Sequence, residues 1–324
     1  MRVLVVGTGV VGTIYGYALA ASGHQVVHLV RSGRAAALRN GLAVDLFDKR
    51  EGRGRAVREL YKLVAVEALP PADAFELIIV PTKHYALAQA LEEVVPRAGS
   101  ADFLLLTQNW RGTAEIDSIL PRSRYVYGDA KAGGTFSDGA LIAALKAIDI
   151  GPAEGEVSAL AKKVAGLFTS ADITTNLHSD MLHYLWVQYA TTGAGWAAFI
   201  HAGSFEGLMT NRQARGDVFK AGRECLEVVT RRGVVLRQYP DAAPFLTNSA
   251  LRMQIYSWMM ARRFRYDEYT KRCSAHAFGD PVEVKTFYDD LVATGHELGV
   301  SMPVIHSYAE SIERFAARGV RAIG

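Results

Sequence analysis

The chain has 324 residues, half of them hydrophobic and about a fifth charged, and a formal net charge of +3. That length is too great for one ordinary core and suits two domains. A charge this small gives no argument for a nucleic-acid or membrane partner, and no stretch approaches the roughly eighteen apolar residues of a membrane span. Cys225 and Cys273 stand far apart, outside any C-x-x-C pair. Neither a disulfide framework nor a metal site is expected, and the pattern fits a reducing, cytoplasmic compartment.

Arg2 to Val6 reads as a buried parallel strand, since a strand covered on both faces shows a continuous apolar run. The turn Gly7-Thr8-Gly9-Val10-Val11-Gly12 follows at once. A helical period comes next, with Val10, Ile14 and Ala18 in one row and Val11, Tyr15 and Leu19 in the other; Gly23 ends it. Gln25 to Val30 is a second strand. Strand, glycine turn, helix, strand is the unit that binds a dinucleotide. Gly7 permits the turn, Gly9 lets the backbone approach a pyrophosphate, and Gly12 lets helix and strand pack closely. Free N–H groups at the helix start favour the anion. At the end of the second strand an NAD site places an acid. This chain has Arg31, whose planar fork of donors suits a 2′-phosphate, so the expected cofactor is NADP(H).

Arg34 to Asn40 reads as a short helix and residues 42 to 66 as two strands around a solvated basic tip. Ala74 to Val80 is a strand followed by Pro81-Thr82-Lys83-His84, which places Lys83 at a carboxyl end, where ligands bind in open α/β sheets. Asp102 to Thr107 is another strand, and Asn109 leaves its carboxyl end. Arg124 to Tyr127 is a short strand before the glycine-rich Gly128 to Gly134. Leu141 to Ile150 is paired strand, Val157 to Phe168 a helix and Ala171 to Asn176 a last strand. From there the pattern is helical, over about 178–200, 213–232, 244–272, 281–298 and 303–318. The expected fold is α/β, with a Rossmann-type doubly wound domain over 1–177 and an all-helical domain over 178–324. Tyr127 and Lys131 have a Y-x-x-x-K spacing, which is set aside because glycines and a strand surround it.

These stretches resemble ketopantoate reductase (2-dehydropantoate 2-reductase). The glycine turn, Arg31, Val80-Pro81-Thr82-Lys83, Gln108-Asn109 and Ile148-Asp149-Ile150-Gly151-Pro152 carry the likeness, as does Glu283 ahead of a helix ending Leu298-Gly299-Val300. The resemblance implies that Arg31 meets the 2′-phosphate of NADPH, that Lys83 lies between cofactor and substrate, that Asn109 is on the cofactor side and that Glu283 binds substrate. It also implies a helical domain for substrate and dimerisation. The family's catalytic lysine falls at Tyr184, its asparagines at Gln188 and Thr192, and its substrate-binding serine at Lys271 or Ser274.

The reading that follows is an NADPH-dependent oxidoreductase that reduces a small 2-keto acid or related carbonyl, with Tyr184 as a proton donor and Lys271 and Lys83 as cations near it. An imine reductase or opine-type dehydrogenase of the same architecture is the alternative enzyme. A non-catalytic NADPH-binding sensor is the alternative outside catalysis. The partner is a small molecule, with a homodimer through the helical domain.

Overall fold

The computed structural model describes residues 1–69, 74–275 and 280–321. The chain divides into two compact units, Met1–Leu182 with Arg272–Ser274, and His183–Lys271 with Ala275–Gly324. The border thus falls five residues beyond the composition change at 177, and a three-residue piece of the helical half returns to the first unit.

The first unit opens with β1 (Arg2–Val6), α1 (Val10–Ala21), β2 (Gln25–Leu29) and α2 (Arg34–Leu38). It continues through β3 (Leu42–Asp48), β4 (Arg55–Tyr61), β5 (Val64–Val66), β6 (Leu77–Val80), α3 (His84–Val94), β7 (Asp102–Leu106) and α4 (Ala114–Ile119). It closes with β8 (Tyr125–Ser137), β9 (Ala140–Gly151), α5 (Ala159–Thr169) and β10 (Thr174–Leu177). The strands form one sheet in the order β4-β3-β9-β8-β7-β6-β1-β2-β5, with β10 on β9. The run β5-β2-β1-β6-β7-β8 is parallel throughout. Numbered within that run, it has the 3-2-1-4-5-6 order of a dinucleotide-binding domain, with its switch point between β1 and β6. Val3, Val5, Ile14, Leu19, Leu104, Val126, Ile148 and Phe168 pack into the core between the sheet and α1 and α5.

Two strand readings change in three dimensions. Residues 42–66 make three strands. β4 pairs antiparallel with β3 on one edge, while β5 joins β2 on the opposite edge. The glycines from 128 to 134 lie inside one long strand, because each sits where a side chain would collide. A Cβ on Gly128 would lie 2.6 Å from Leu106 Cδ2, and one on Gly134 would strike the Ile142 carbonyl. Tyr127 and Lys131 are therefore strand neighbours and do not share a helix face.

The second unit is helical: α6 (Met181–His201, begun in the last residues of the first unit), α7 (Phe205–Thr210), α8 (Arg212–Arg231), α9 (Ala243–Leu246) and α10 (Ala250–Tyr266). α11 (Glu268–Ser274), α12 (Pro281–Glu297), α13 (Pro303–His306) and α14 (Ala309–Arg321) follow. The small residues after Ala190 let a neighbour approach, since a Cβ on Gly193 would lie 2.6 Å from Leu291 Cδ1 of α12. Tyr189 stacks on Phe287 with centroids 3.8 Å apart and donates to Asp290 at 2.7 Å. The helix expected over 244–272 is three helices. Ser249 caps α10 through Arg252 N, and Asp267 interrupts by accepting from Thr270 N at 3.3 Å as well as from the Thr270 hydroxyl at 2.6 Å. Short polar side chains compete for backbone donors in this way and favour helix starts. Among the described residues no helix is long and apolar enough to cross a membrane.

Candidate active site

The turn from β1 into α1 is held from behind. Gly7 has φ +91°, a conformation open to glycine, and its N–H donates to Leu29 O at 2.7 Å. Its carbonyl accepts from His28 Nδ1 at 3.0 Å, and His28 Nε2 meets the Tyr61 hydroxyl at 3.0 Å. His28 is fully buried, and burial lowers its pKa, which keeps the imidazole neutral. With Nδ1 donating to a carbonyl, Nε2 is the acceptor for Tyr61. Gly16 makes room for this pair, because a Cβ there would lie 2.7 Å from His28 Nε2.

The three glycines of the turn differ in their surroundings. A Cβ on Gly12 would lie 2.7 Å from Pro81 Cγ and 3.0 Å from Val5 Cγ1, so Gly12 is what lets α1 approach β1 and the end of β6. A Cβ on Gly9 would meet nothing within 4 Å. Gly9 is exposed at the N-cap of α1, and the space before it is where a pyrophosphate approaches helix N–H groups.

The ends of β6 and β7 reach the same edge of the sheet. Thr82 Oγ1, Thr107 Oγ1 and Gln108 Oε1 there are buried without a hydrogen-bond partner among the described residues. Buried polar atoms are normally paired, so these three stand out at the strand ends where ligands of open α/β sheets bind. Lys83 caps the start of α3 and is half-buried. Asn109 lies at the expected edge, yet its amide serves the protein. Nδ2 donates to Gly112 O and to the Tyr127 hydroxyl at 2.9 Å, and Oδ1 accepts from Arg111 N at 3.0 Å.

Arg31 follows the end of β2 and is exposed, as is Arg34. Between them the loop is closed by Glu67, just past β5, which accepts from Ala35 N at 2.9 Å. Backbone donation from Gly33 and Ala35 holds the Glu67 carboxyl below its usual range. The backbone donors at this loop are thus taken by a carboxylate, and its guanidinia are what it offers an anion. Thr8, Val10 and Val11 complete the turn and are partly exposed.

The remaining candidates belong to the second unit. Tyr184 is buried on α6 at 6% exposure, Lys271 is exposed on α11, and Glu283 is half-buried in the first turn of α12, its N–H given to Asp280 at 2.9 Å. Gln188 donates to Asp241 at 2.6 Å. Sequence reasoning missed His28, Glu67 and the unpartnered threonines. The glycine motif gives no pointer to a histidine sixteen residues beyond it, since only the fold brings them together.

Strand order, switch point and glycine turn define the first unit as a Rossmann-type domain with the architecture of a dinucleotide site. Residues 3–154 match the family model ketopantoate reductase PanE/ApbA. Just under half of the chain, all of it in the first unit, thus resembles the ketopantoate reductase family domain. A curated relative is the 2-dehydropantoate 2-reductase of Pyrococcus abyssi, 24% identical over 60% of this chain and 62% of that protein. The chain thus matches less than two thirds of that relative's length. The crystal structure of 2-dehydropantoate 2-reductase from Geobacter metallireducens has a TM-score of 0.71 at 18% identity, over 97% of this chain and 99% of its own. A D-mandelate dehydrogenase in ternary complex with NADH and anilino(oxo)acetate has a TM-score of 0.71 at 15% identity, over 98% and 99%. These two likenesses establish the fold.

Proposed function

We propose that the protein is an NADPH-dependent reductase of a small 2-oxo acid or related carbonyl compound. The observation that carries this reading is the glycine turn at the switch point, with open space before Gly9 at the start of α1. The family domain over residues 3–154 supports it. The residues fit the cofactor. Gly9 leaves space for a pyrophosphate, N–H groups of Val10 to Gly12 point from a helix start, and Lys83 and Asn109 border the adjoining strand ends. The mandelate dehydrogenase neighbour is complexed with NADH, but here Arg31 stands where an NAD site keeps an acid, and that favours NADPH.

Bound there, NADPH supplies a hydride for the carbonyl carbon. The protein's own part is to orient the substrate, exclude water and stabilise charge as it develops on oxygen. On the second unit Tyr184, Lys271 and Glu283 are proposed as substrate-contacting groups.

The test is a titration with NADPH and NADH followed by nicotinamide fluorescence, then NADPH oxidation with 2-dehydropantoate and with phenylglyoxylate, the ketone of mandelate. NADPH binding with turnover of either acid is expected. Failure to bind either nucleotide sinks the reading of the turn.

A further inference from the structure

The first unit carries a polar cluster that the cofactor site does not use. β7 ends opposite Gly128, and β8 runs on beyond it to Ser137. Val126, Ala130 and Ala132 pack on the core beneath α1 and α5. Strand alternation puts Tyr127, Asp129, Lys131 and Gly133 on the opposite face. At one end of this row the Tyr127 hydroxyl holds Asn109 at the cofactor edge. At the other, a Cβ on Gly133 would lie 3.1 Å from Cys273 Cα, so the end of α11, with Ser274, sits directly over the strand. Arg272 anchors that segment through Asp45 Oδ1 at 2.7 Å and Ala143 O at 3.1 Å. Lys131 stands between the two.

Asp129 and Asp149 face each other in the β8–β9 register, where like charges repel. Lys131 Nζ bridges them, 2.6 Å from Asp129 Oδ2 and 3.3 Å from Asp149 Oδ2. His178 Nε2 meets the other oxygen of Asp149 at 2.8 Å. A bulge builds this arrangement: Lys131 pairs with Ala147 but Ala132 with Leu145, so Lys146 is skipped. Leu141, Ala143 and Leu145 face the core before the bulge, and Ile148 and Ile150 after it. The skipped residue is what turns Asp149 out toward Lys131. Bulges re-aim side chains in this way beside functional sites. Asp129 and Asp149 are almost wholly buried, while the Lys131 and His178 side chains keep 28% and 27% exposure. The chain of hydrogen bonds thus runs from an accessible ammonium, through a buried carboxylate, to an imidazole in contact with water.

We propose that Lys131 donates the proton to the substrate carbonyl oxygen and is recharged through Asp149 and His178. This rests on the reductase reading above. The carbonyl carbon takes the hydride that NADPH supplies, and the C=O π pair moves to oxygen. An N–H bond of Lys131 breaks as the O–H bond forms, leaving an alcohol and a neutral amine. His178 gives its Nε2 proton to the Asp149 carboxylate, the carboxylic acid so formed gives a proton on to the neutral amine, and His178 takes a replacement from solvent water. Burial would raise the Asp149 carboxyl, but the His178 hydrogen bond and the Lys131 charge outweigh it and hold it below the usual range. It therefore carries the proton in transit only. In the nicotinamide half of the fold, over β6, β7 and β8, Lys131 stands on the wall that continues past β7.

The probe is anilino(oxo)acetate, titrated into the NADP⁺ complex by calorimetry, alongside NADPH affinity and turnover of 2-oxo acids. Lys131→Met is expected to keep NADPH affinity, to weaken the probe by about tenfold or more and to lower kcat by about 10²–10³-fold. Removing the ammonium leaves two carboxylates opposed, so the Asp129→Asn/Lys131→Met double variant is measured as well, and its losses are expected to match. His178→Ala is expected to lower kcat at unchanged KM, with added imidazole restoring the rate, a rescue that a merely structural histidine would not show. Wild-type probe affinity together with near-wild-type kcat in both Lys131 variants overturns the relay alone. A wild-type protein that binds no NADPH, or reduces no 2-oxo acid, overturns the reductase reading and the relay with it.

Discussion

His28 Nδ1 donates to the carbonyl of Gly7, the first residue of the nucleotide turn, across 3.0 Å of buried space. The bond fixes that peptide plane, so the N–H groups that follow face outward toward the proposed anion. Replacing His28 by Leu leaves the Gly7 carbonyl and the Tyr61 hydroxyl without this partner, a loss of about 1–3 kcal/mol. Urea unfolding should show it, and the NADPH dissociation constant should rise by about tenfold as the turn loosens. His28→Gln, which keeps an amide donor, should recover most of the affinity. An unchanged dissociation constant in His28→Leu would mean the turn holds itself.

The same residue sets a pH dependence. Burial lowers the folded-state pKa of His28 below 6.5, while the unfolded chain titrates near that value. Below about 6.5 the unfolded state binds more protons, so stability falls as pH drops through the window from about 6.5 to the folded pKa and is flat above it. His24 is shifted in the same direction by burial and by the charged amino terminus. Urea midpoints measured across this range should lose part of their slope in His28→Gln and the rest in the His24/His28 double variant. A slope untouched by both substitutions would place the dependence elsewhere.

Gly9 and Gly12 should separate binding from folding. Gly9→Ala adds a methyl into open space, so the melting temperature should hold while NADPH affinity drops. Gly12→Ala drives a methyl into Pro81 and Val5, which should cost about 1–3 kcal/mol and weaken NADPH as well. Equal thermal losses in the two variants would contradict this account of the turn.

Arg31→Asp replaces the guanidinium with the acid that a ribose 2′-hydroxyl prefers. The ratio of NADH to NADPH dissociation constants should fall by about tenfold or more, with little change in unfolding, since Arg31 is exposed. A ratio that stays constant would move the 2′-phosphate contact to Arg34 or Lys83.

Arg272 clamps the end of α11 onto β3 and β9, with Asp45 held below its usual pKa range mainly by the Arg272 hydrogen bond. Arg272→Met should cost about 1.5–3 kcal/mol in urea unfolding, because bonds to charged partners are lost. It should also increase hydrogen exchange in residues 268–274. Exchange left at the wild-type rate there would show that Gly133 and Cys273 suffice to hold the segment.

The sequence determined what depends on local order. A continuous apolar run, a glycine spacing and a helical period fix β1, α1 and β2 within thirty residues, and Arg31 follows because it sits at a strand end by count alone. The sequence reading ends the strand at Tyr127, before the β8 glycines, because the reason for those glycines lies in Leu106, Ile142 and Cys273, which the chain supplies from far away. Glu67 at the Arg31 loop, His28 behind Gly7, and Asp149 turned out by one skipped residue likewise come from strand order and register. Periodicity reports which face of an element is buried; it carries no information about which element lies opposite. That pairing was decided by the tertiary structure, where loop lengths and buried polar groups had to be satisfied together.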